Sequence, residues 1–182
     1  MPIKTTSLED ADAFSQLYER AHIIVFRYIF GLHGGPAEEV EDLTAETFFK
    51  AWKARRQFTG DDNAALGWLL HIARNLVIDS YRHRKAQNKL AIDDLDVEWL
   101  NIPEGFTSPE SQIEYRQKFS RLWELIQDLS VEQRDLLILR YIVGWRVNQI
   151  ADHLHIPENT VSVQIRRILN RLKAHSTQSQ EE

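Results

Sequence analysis

The strongest constraint on this chain is the period of its apolar residues. Over most of its 182 residues they recur at three- and four-residue steps, and only seven glycines and five prolines interrupt them. That is the repeat of helices with one inward face. Between 11 and 30, Phe14, Leu17, Tyr18, Ala21, Ile24, Val25, Tyr28 and Ile29 form one such stripe. Gly31 and the run His33, Gly34, Gly35 are expected to stop that helix, and Pro36 suits the first turn of the next. Val40, Leu43, Thr47, Phe48, Ala51 and Trp52 form a second stripe, with Glu38, Glu39, Glu41, Asp42 and Glu46 on the opposite face. Residues 57–63 read as a loop. A third helix follows, with Leu69, Ile72, Ala73 and Leu76 inward and Arg74, Asn75, Asp79 and Arg82 outward.

The period then fails. Residues 86–111 contain Asp93, Asp94, Asp96, Glu98, Pro103, Gly105 and Pro109 without a sustained repeat. A stretch of about 25 residues is long for a loop inside one compact domain. The expectation is therefore an all-α chain of two small helical domains, 8–86 and 112–175, joined by an acidic flexible linker over 87–111. Helical spacing resumes near Ile113, and Phe119, Leu122, Trp123, Leu125, Ile126 and Leu129 mark one helix. Ser130 followed by Gln133 is a capping-box signature that starts another, carrying Leu136, Leu137, Leu139 and Arg140 and ending at Gly144. Two more helices are expected, 147–154 and about 157–173, joined by a tight turn around His155, with a frayed polar tail after Ala174.

Composition narrows the function. The chain has no cysteine, which excludes disulfides, thiolate zinc sites and a cysteine nucleophile. The first residues hold no apolar signal core, and apolar runs such as 23–26 are far too short to cross a bilayer, so a cytoplasmic protein without membrane insertion is expected. The seven histidines are scattered, and His153 and His155 are two apart, which is wrong for one helical face. There is no glycine-rich phosphate loop and no GxSxG. No enzyme, metal site or cofactor is expected. A net charge of -5 argues against a general nucleic-acid coat but not against a DNA reader with locally placed basic residues.

The last two helices suggest such a reader. A short helix, a tight turn and a longer helix form a helix-turn-helix pattern. In the second helix Val161, Ile165, Ile168, Leu169 and Leu172 point one way, while Thr160, Val163, Arg166, Arg167 and Asn170 lie opposite. That arc suits a major groove, where arginine reads guanine and an apolar group meets the thymine methyl. Asn159 and Thr160 are placed to hold a phosphate at the helix N-terminus. A plain helical hairpin with a solvated basic face fits the same pattern, and the pattern does not choose between them.

Four segments resemble, in order and spacing, extracytoplasmic-function (ECF) sigma factors of the sigma-70 family. Residues 41–52 (EDLTAETFFKAW) are similar to the polymerase-binding region 2.2, and 67–82 (GWLLHIARNLVIDSYR) to the −10 segment, regions 2.3 to 2.4. Residues 129–141, with Glu132, Gln133 and Arg134, resemble region 4.1. Gln149, Ile150 and Ala151 through Thr160 and Val161 to Arg167 resemble the region 4.2 helix-turn-helix. The resemblance covers about residues 10–174. It implies a region 2 bundle and a region 4 domain that bind core RNA polymerase at the β′ clamp and β flap, and promoter DNA.

On that reading Glu38, Glu41, Asp42, Ala45, Glu46 and Phe49 meet the clamp, where acidic groups suit a basic partner. Phe58, Thr59, Asp61, Asp62, Asn63, His71, Arg74, Asn75 and Arg82 serve the −10 element, through a pocket for an unstacked base and contacts to phosphates, with Arg84 and Lys85 adding charge. Asn159, Thr160, Val163, Gln164, Arg166 and Arg167 serve the −35 element. The linker is expected to thread toward the polymerase active-site cleft and RNA exit channel. For any single acidic residue a solvated face is the simpler account, and Phe48, Phe49, Trp52 and Trp68 read first as packing residues.

Several positions depart from the family pattern. Ala45 replaces a frequent glutamine, Arg146 a helix-capping serine, and His155 a glycine in the turn; a left-handed histidine there costs about 1 kcal/mol. Ser162 and Gln164 stand where lysine and arginine are frequent, which predicts an unusual −35 preference. Family habit also implies an anti-sigma factor as regulator. The rival reading is a dimeric helix-turn-helix repressor on palindromic DNA.

Overall fold

The computed structural model of the chain describes residues 8–86, 124–126 and 128–178, with side chains described through 83 and 174 in the two longer stretches. The linker, the stretch holding Ile113, Phe119, Leu122 and Trp123, and the side chains of Arg84 and Lys85 lie outside the described residues. Two compact units divide the chain, Met1–Asp93 and Asp94–Glu182. Among the described residues all regular structure is helical.

The first unit is built from α1 (Ala11–His33), α2 (Ala37–Ala54), a 3₁₀ turn (Arg55–Gln57) and α3 (Asp62–Ala86), each helix packing on the other two. The core is formed by Val25, Tyr28, Ile29 and Leu32 of α1, Val40, Phe48 and Ala51 of α2, and Ala65, Leu69, Leu70, Ala73 and Val77 of α3. Burying one such leucine or isoleucine contributes roughly 1.5–3 kcal/mol. Gly31 does not stop α1. Leu32, fully buried, continues the inward stripe, and the helix ends two residues later, where Gly34 takes a left-handed conformation (φ 65°) and donates its N–H to the Phe30 carbonyl. Pro36 stands just before the first turn of α2 instead of inside it. Thr44 joins Thr47 among the buried residues of α2, because each hydroxyl donates to the carbonyl four residues back, at 2.7 Å, and so enters the interface satisfied. Tyr18 is 43% exposed and Ile24 and Ile72 are half-buried, while Phe30, Leu32, Leu70 and Val77 are buried, so the inward stripes of α1 and α3 are shifted from those expected.

The buried His33 ties the ends of all three helices together. Its Nε2 lies 3.2 Å from Ser80 Oγ and 3.5 Å from Glu39 Oε2, while the Tyr81 hydroxyl donates toward the carbonyls of His33 (2.7 Å) and Leu32 (3.1 Å). Carbonyls at a helix C-terminus have no partner within the helix, and Tyr81 supplies one. At the other end, Arg55 lies over Trp52 (3.5 Å) and donates to the Trp52 carbonyl (2.8 Å), while Trp52 meets Phe14 edge-on.

The second unit contains α4 (Val131–Tyr141), α5 (Val147–Leu154) and α6 (Glu158–Gln178). The Ser130–Gln133 capping box is formed in both directions, at 3.2 and 3.3 Å. Residues 134–139 of α4 are all buried, Arg134 and Asp135 included, so α4 is covered around its circumference and not on one stripe. The helix ends at Tyr141, and Ile142 N–H closes its last turn onto the Ile138 carbonyl. Trp145 N–H then donates to the Leu139 carbonyl, Arg140 to the Trp145 carbonyl (2.8 Å), and Gly144 takes φ 81°. Two expectations for α6 are corrected. The helix runs past Ala174 to Gln178, with no glycine or proline to stop it, and Leu169 is 39% exposed because it lies on the flank, not among Val161, Ile165 and Ile168.

Candidate functional site

On α2 the six residues expected at the polymerase, Glu38, Glu41, Asp42, Ala45, Glu46 and Phe49, are all exposed, opposite the buried Val40, Thr44, Thr47, Phe48 and Ala51. Phe49, expected first as a packing residue, is instead 56% exposed, because it falls on the polar side of α2 one position past the buried Phe48. The stripe is bounded by cations from its own helix: Lys50 pairs with Glu46 at 3.2 Å, and Lys53 Nζ lies 4.2 Å from the Phe49 ring centroid.

The loop over 57–63 is shorter than expected, because Arg55–Gln57 is a 3₁₀ turn and α3 already starts at Asp62. Phe58 stacks on Trp68, with ring centroids 5.1 Å apart and planes at 29°. Asp61 Oδ1 accepts the Ala64 N–H at 2.8 Å, so this carboxylate caps α3. Asp62 accepts from Arg20 of α1, at 2.8 and 3.4 Å. Both acidic candidates therefore have structural partners, while Thr59 and Asn63 are exposed on either side of them. Farther along α3, His71 and Arg74 are half-buried and Asn75 and Arg82 exposed, with Arg82 3.4 Å from Asp79. Spacings of three, four and seven bring these four residues onto one side of the helix.

In the second unit, α5 and α6 are joined through His155, which is left-handed (φ 55°, ψ 42°). Ile156 N–H returns to the Ala151 carbonyl, and Val161 N–H to that of Pro157. Arg146 begins α5 without an acceptor in its side chain. The Gln149 amide nonetheless takes the Arg146 N–H at 2.9 Å, half of a capping box. Val161, Ile165 and Ile168 are buried. Asn159, Gln164, Arg166, Arg167 and Asn170 are exposed, and Thr160 and Val163 half-buried at the edge of that surface. Arg166 differs from Arg167 in its surroundings: with Arg140, Val147, Ser162, Ile165, Leu169 and Asn170 it lines a groove of about 280 Å³.

Two features escaped the sequence reading. Tyr141 and Ile142 are adjacent, exposed and apolar at the end of α4. Their position beyond the stripe of Leu136 and Leu139 was the available signal. Ile23 is also exposed on α1, at the i+5 position from Tyr18, with Tyr18 itself packed edge-on to Phe48. Among the described residues there is no cluster of His, Asp or Glu able to hold a metal ion, and no helix long and apolar enough to cross a membrane.

Comparison with known proteins matches residues 17–87 to the family Sigma-70 region 2 and residues 119–172 to Sigma-70, region 4. The chain is 32% identical over 142 residues to the ECF RNA polymerase sigma factor BldN of Streptomyces coelicolor, which covers 78% of this chain but only about half (52%) of BldN. It is 27% identical over 164 residues to the ECF RNA polymerase sigma factor SigL of Mycobacterium tuberculosis, covering 90% and 89% of the two chains. Two solved structures share the fold. CnrH, in complex with the cytosolic domain of CnrY, has TM-score 0.64 at 24% identity, over 92% of this chain and 90% of that one. The sigma factor RpoE of Bartonella quintana, in complex with the anti-sigma factor NepR, has TM-score 0.68 at 20% identity, over 90% and 96%. Both family segments occur in order, each on a helical unit of the expected kind, and the chain belongs to the ECF group of the sigma-70 family, the promoter-directing factors of RNA polymerase.

Proposed function

We propose that this chain directs core RNA polymerase to promoters through three surfaces. The acidic stripe of α2, with Phe49 at its centre, docks on the β′ clamp. The loop before α3 and the exposed side of α3 capture and open the −10 element. The helix-turn-helix reads the −35 element, with Arg167 toward base edges and Arg166 toward the backbone. The exposed pair Tyr141 and Ile142 is offered to the β flap. The working domains are 8–86 and 112–175, tethered by 87–111. The protein acts by binding and not by catalysis, and it works in the cytoplasm, where polymerase is. Because relatives of the same fold are held by CnrY and NepR, an anti-sigma factor is assigned to this chain as well.

The observation that carries this reading is the composition of the α2 surface: four carboxylates and an exposed phenylalanine on one side of a helix whose other side is fully packed. Acidic groups around an apolar anchor suit a basic protein partner better than DNA. A pull-down with core polymerase, followed by run-off transcription from a selected promoter, tests it. Retention on core polymerase and promoter-specific transcripts are expected. A stable free dimer that binds palindromic duplex and leaves polymerase unbound overturns it in favour of a repressor.

A further inference from the structure

The chain entering α3 is held at three points: Phe58 on Trp68, the Asp61 carboxylate on the Ala64 N–H, and Asp62 on Arg20. Gly60 lies inside this frame, and it has no room for a side chain. A Cβ placed on it falls 2.7 Å from the Ala64 Cβ and 3.0 Å from Cζ of Phe58. Carbon atoms in favourable contact are about 3.5–4.0 Å apart, so any side chain here displaces its neighbours by about 1 Å. Ala64 belongs to the helix backbone frame and cannot swing aside. The displacement falls on the loop, and with it on the Phe58 ring. Of the loop and first-turn residues, Thr59 and Asn63 are exposed on either side of Gly60 and the capping Asp61.

We propose that Gly60 is a positioning residue for −10 recognition: its missing side chain lets residues 58–61 close onto Ala64 and sets where Thr59 and Asn63 meet the unstacked base. The inference rests on the assignment of 58–63 to the −10 element. Preorganised contacts lose function steeply with displacement, because a 1 Å misplacement is enough to disrupt a binding constellation without unfolding its scaffold. Gly60 touches no DNA on this account. It acts through the loop.

The test uses holoenzyme assembled from full-length variants, with opening followed by permanganate reactivity of the −10 region and base preference by selection on a randomised −10 library. Gly60→Ala is expected to slow opening by about tenfold or more and to blur −10 preference, with core-polymerase affinity unchanged within about twofold. Ala64→Gly removes the nearer clashing atom. Alone it is expected to open promoters at the wild-type rate, and in Gly60→Ala/Ala64→Gly to restore most of the lost opening rate. Rescue shows that the defect arises from the contact between positions 60 and 64, and unchanged core-polymerase affinity separates it from a general scaffold defect. Thermal unfolding of each free variant accompanies the kinetics: Gly60→Ala is expected to keep the first unit folded, and an opening defect that appears only together with unfolding of that unit overturns the proposal. Normal opening and preference in Gly60→Ala, or a defect that Ala64→Gly does not relieve, overturns the proposal. Failure of the underlying −10 assignment reads differently: Thr59→Ala/Asn63→Ala then leaves both opening and preference at wild-type values.

Discussion

The two helices assigned to DNA, α3 and α6, are brought to their places by opposite means. The start of α3 is held by side chains, one of them distant: Arg20, 42 residues earlier, pairs with Asp62, while Phe58 stacks on Trp68 and Asp61 caps the first turn. The start of α6 is set by backbone over three residues, with a left-handed His155, a bond from Ile156 to Ala151 and one from Val161 to Pro157. The first arrangement depends on a whole three-helix unit being folded. The second is local and needs little beyond the turn. A site that must capture a single unstacked base calls for several converging groups. A helix that enters a groove as a rigid body needs only a fixed crossing angle.

The largest expected effect tests whether the units are held separately. Leu69→Ala in α3 and Ile150→Ala in α5 each delete a fully buried side chain. Each is expected to destabilise its own unit by about 2–5 kcal/mol. Hydrogen exchange read by mass spectrometry is expected to show lost protection in 11–83 for Leu69→Ala and in 131–174 for Ile150→Ala. Loss spread equally over both units would show that they unfold together.

The next effect separates surface from core inside the first unit. Asp42→Lys with Glu46→Lys reverses two exposed charges and removes the Glu46–Lys50 pair. Stability is expected to change by no more than about 0.5 kcal/mol. Core-polymerase affinity is expected to fall by about tenfold or more, since a mismatched charge at an interface costs well over a kcal/mol. Unchanged affinity removes the α2 stripe from the clamp interface.

A pair of variants then contrasts the two DNA surfaces. Asn75→Ala, on the exposed side of α3, is expected to impair bubble formation while closed-complex affinity stays near wild type. Arg167→Ala is expected to relax preference at one or two −35 positions by about 1–3 kcal/mol, whereas Arg166→Ala lowers affinity evenly across sequences. The groove around Arg166 supports that division, since it places Arg166 on the flank away from Thr160, Val163 and Gln164. A −35 library selection and permanganate footprinting distinguish these outcomes. Identical profiles for both arginine variants would remove the division between them.

The same contrast explains what could be read from the sequence. Local signals were legible: the Ser130–Gln133 box, the break near Pro36, the turn at His155, and the exposed acidic side of α2. Asp61 as the cap of α3 was also within reach, because an aspartate three residues before Ala64 at a helix start is a local pattern. The Arg20–Asp62 pair was not, since nothing in residue spacing links positions 42 apart. Thr44 belongs to the same inward stripe as Thr47, four residues after Val40, so its spacing was an available signal, and its hydroxyl is satisfied at the Val40 carbonyl. Leu169 was misplaced because an apolar residue one step off a stripe still fits a loose three-four period. Arg134 and Asp135 are buried on a helix covered all round, and a one-sided pattern cannot reveal that.

The smallest effect isolates the backbone device at the α5–α6 turn. His155 holds φ 55°, where an L-residue brings its Cβ close to the following carbonyl oxygen, and glycine does not. Replacement by glycine alone confounds this strain with the loss of the imidazole ring. His155→Ala deletes the ring and keeps the Cβ; His155→Gly deletes both. Their difference reports the left-handed strain, reduced by the greater freedom of glycine in the unfolded chain. The glycine variant is expected to be the more stable by about 0.5 kcal/mol. Denaturant titration of the two proteins side by side measures it. Because the turn keeps its geometry, −35 preference is expected to be the same in both. Equal stability would mean that the turn relaxes once the ring is gone. A changed −35 preference in the glycine variant would mean that the histidine holds α6 at its angle, and the backbone of α6 would then depend on a side chain as α3 does.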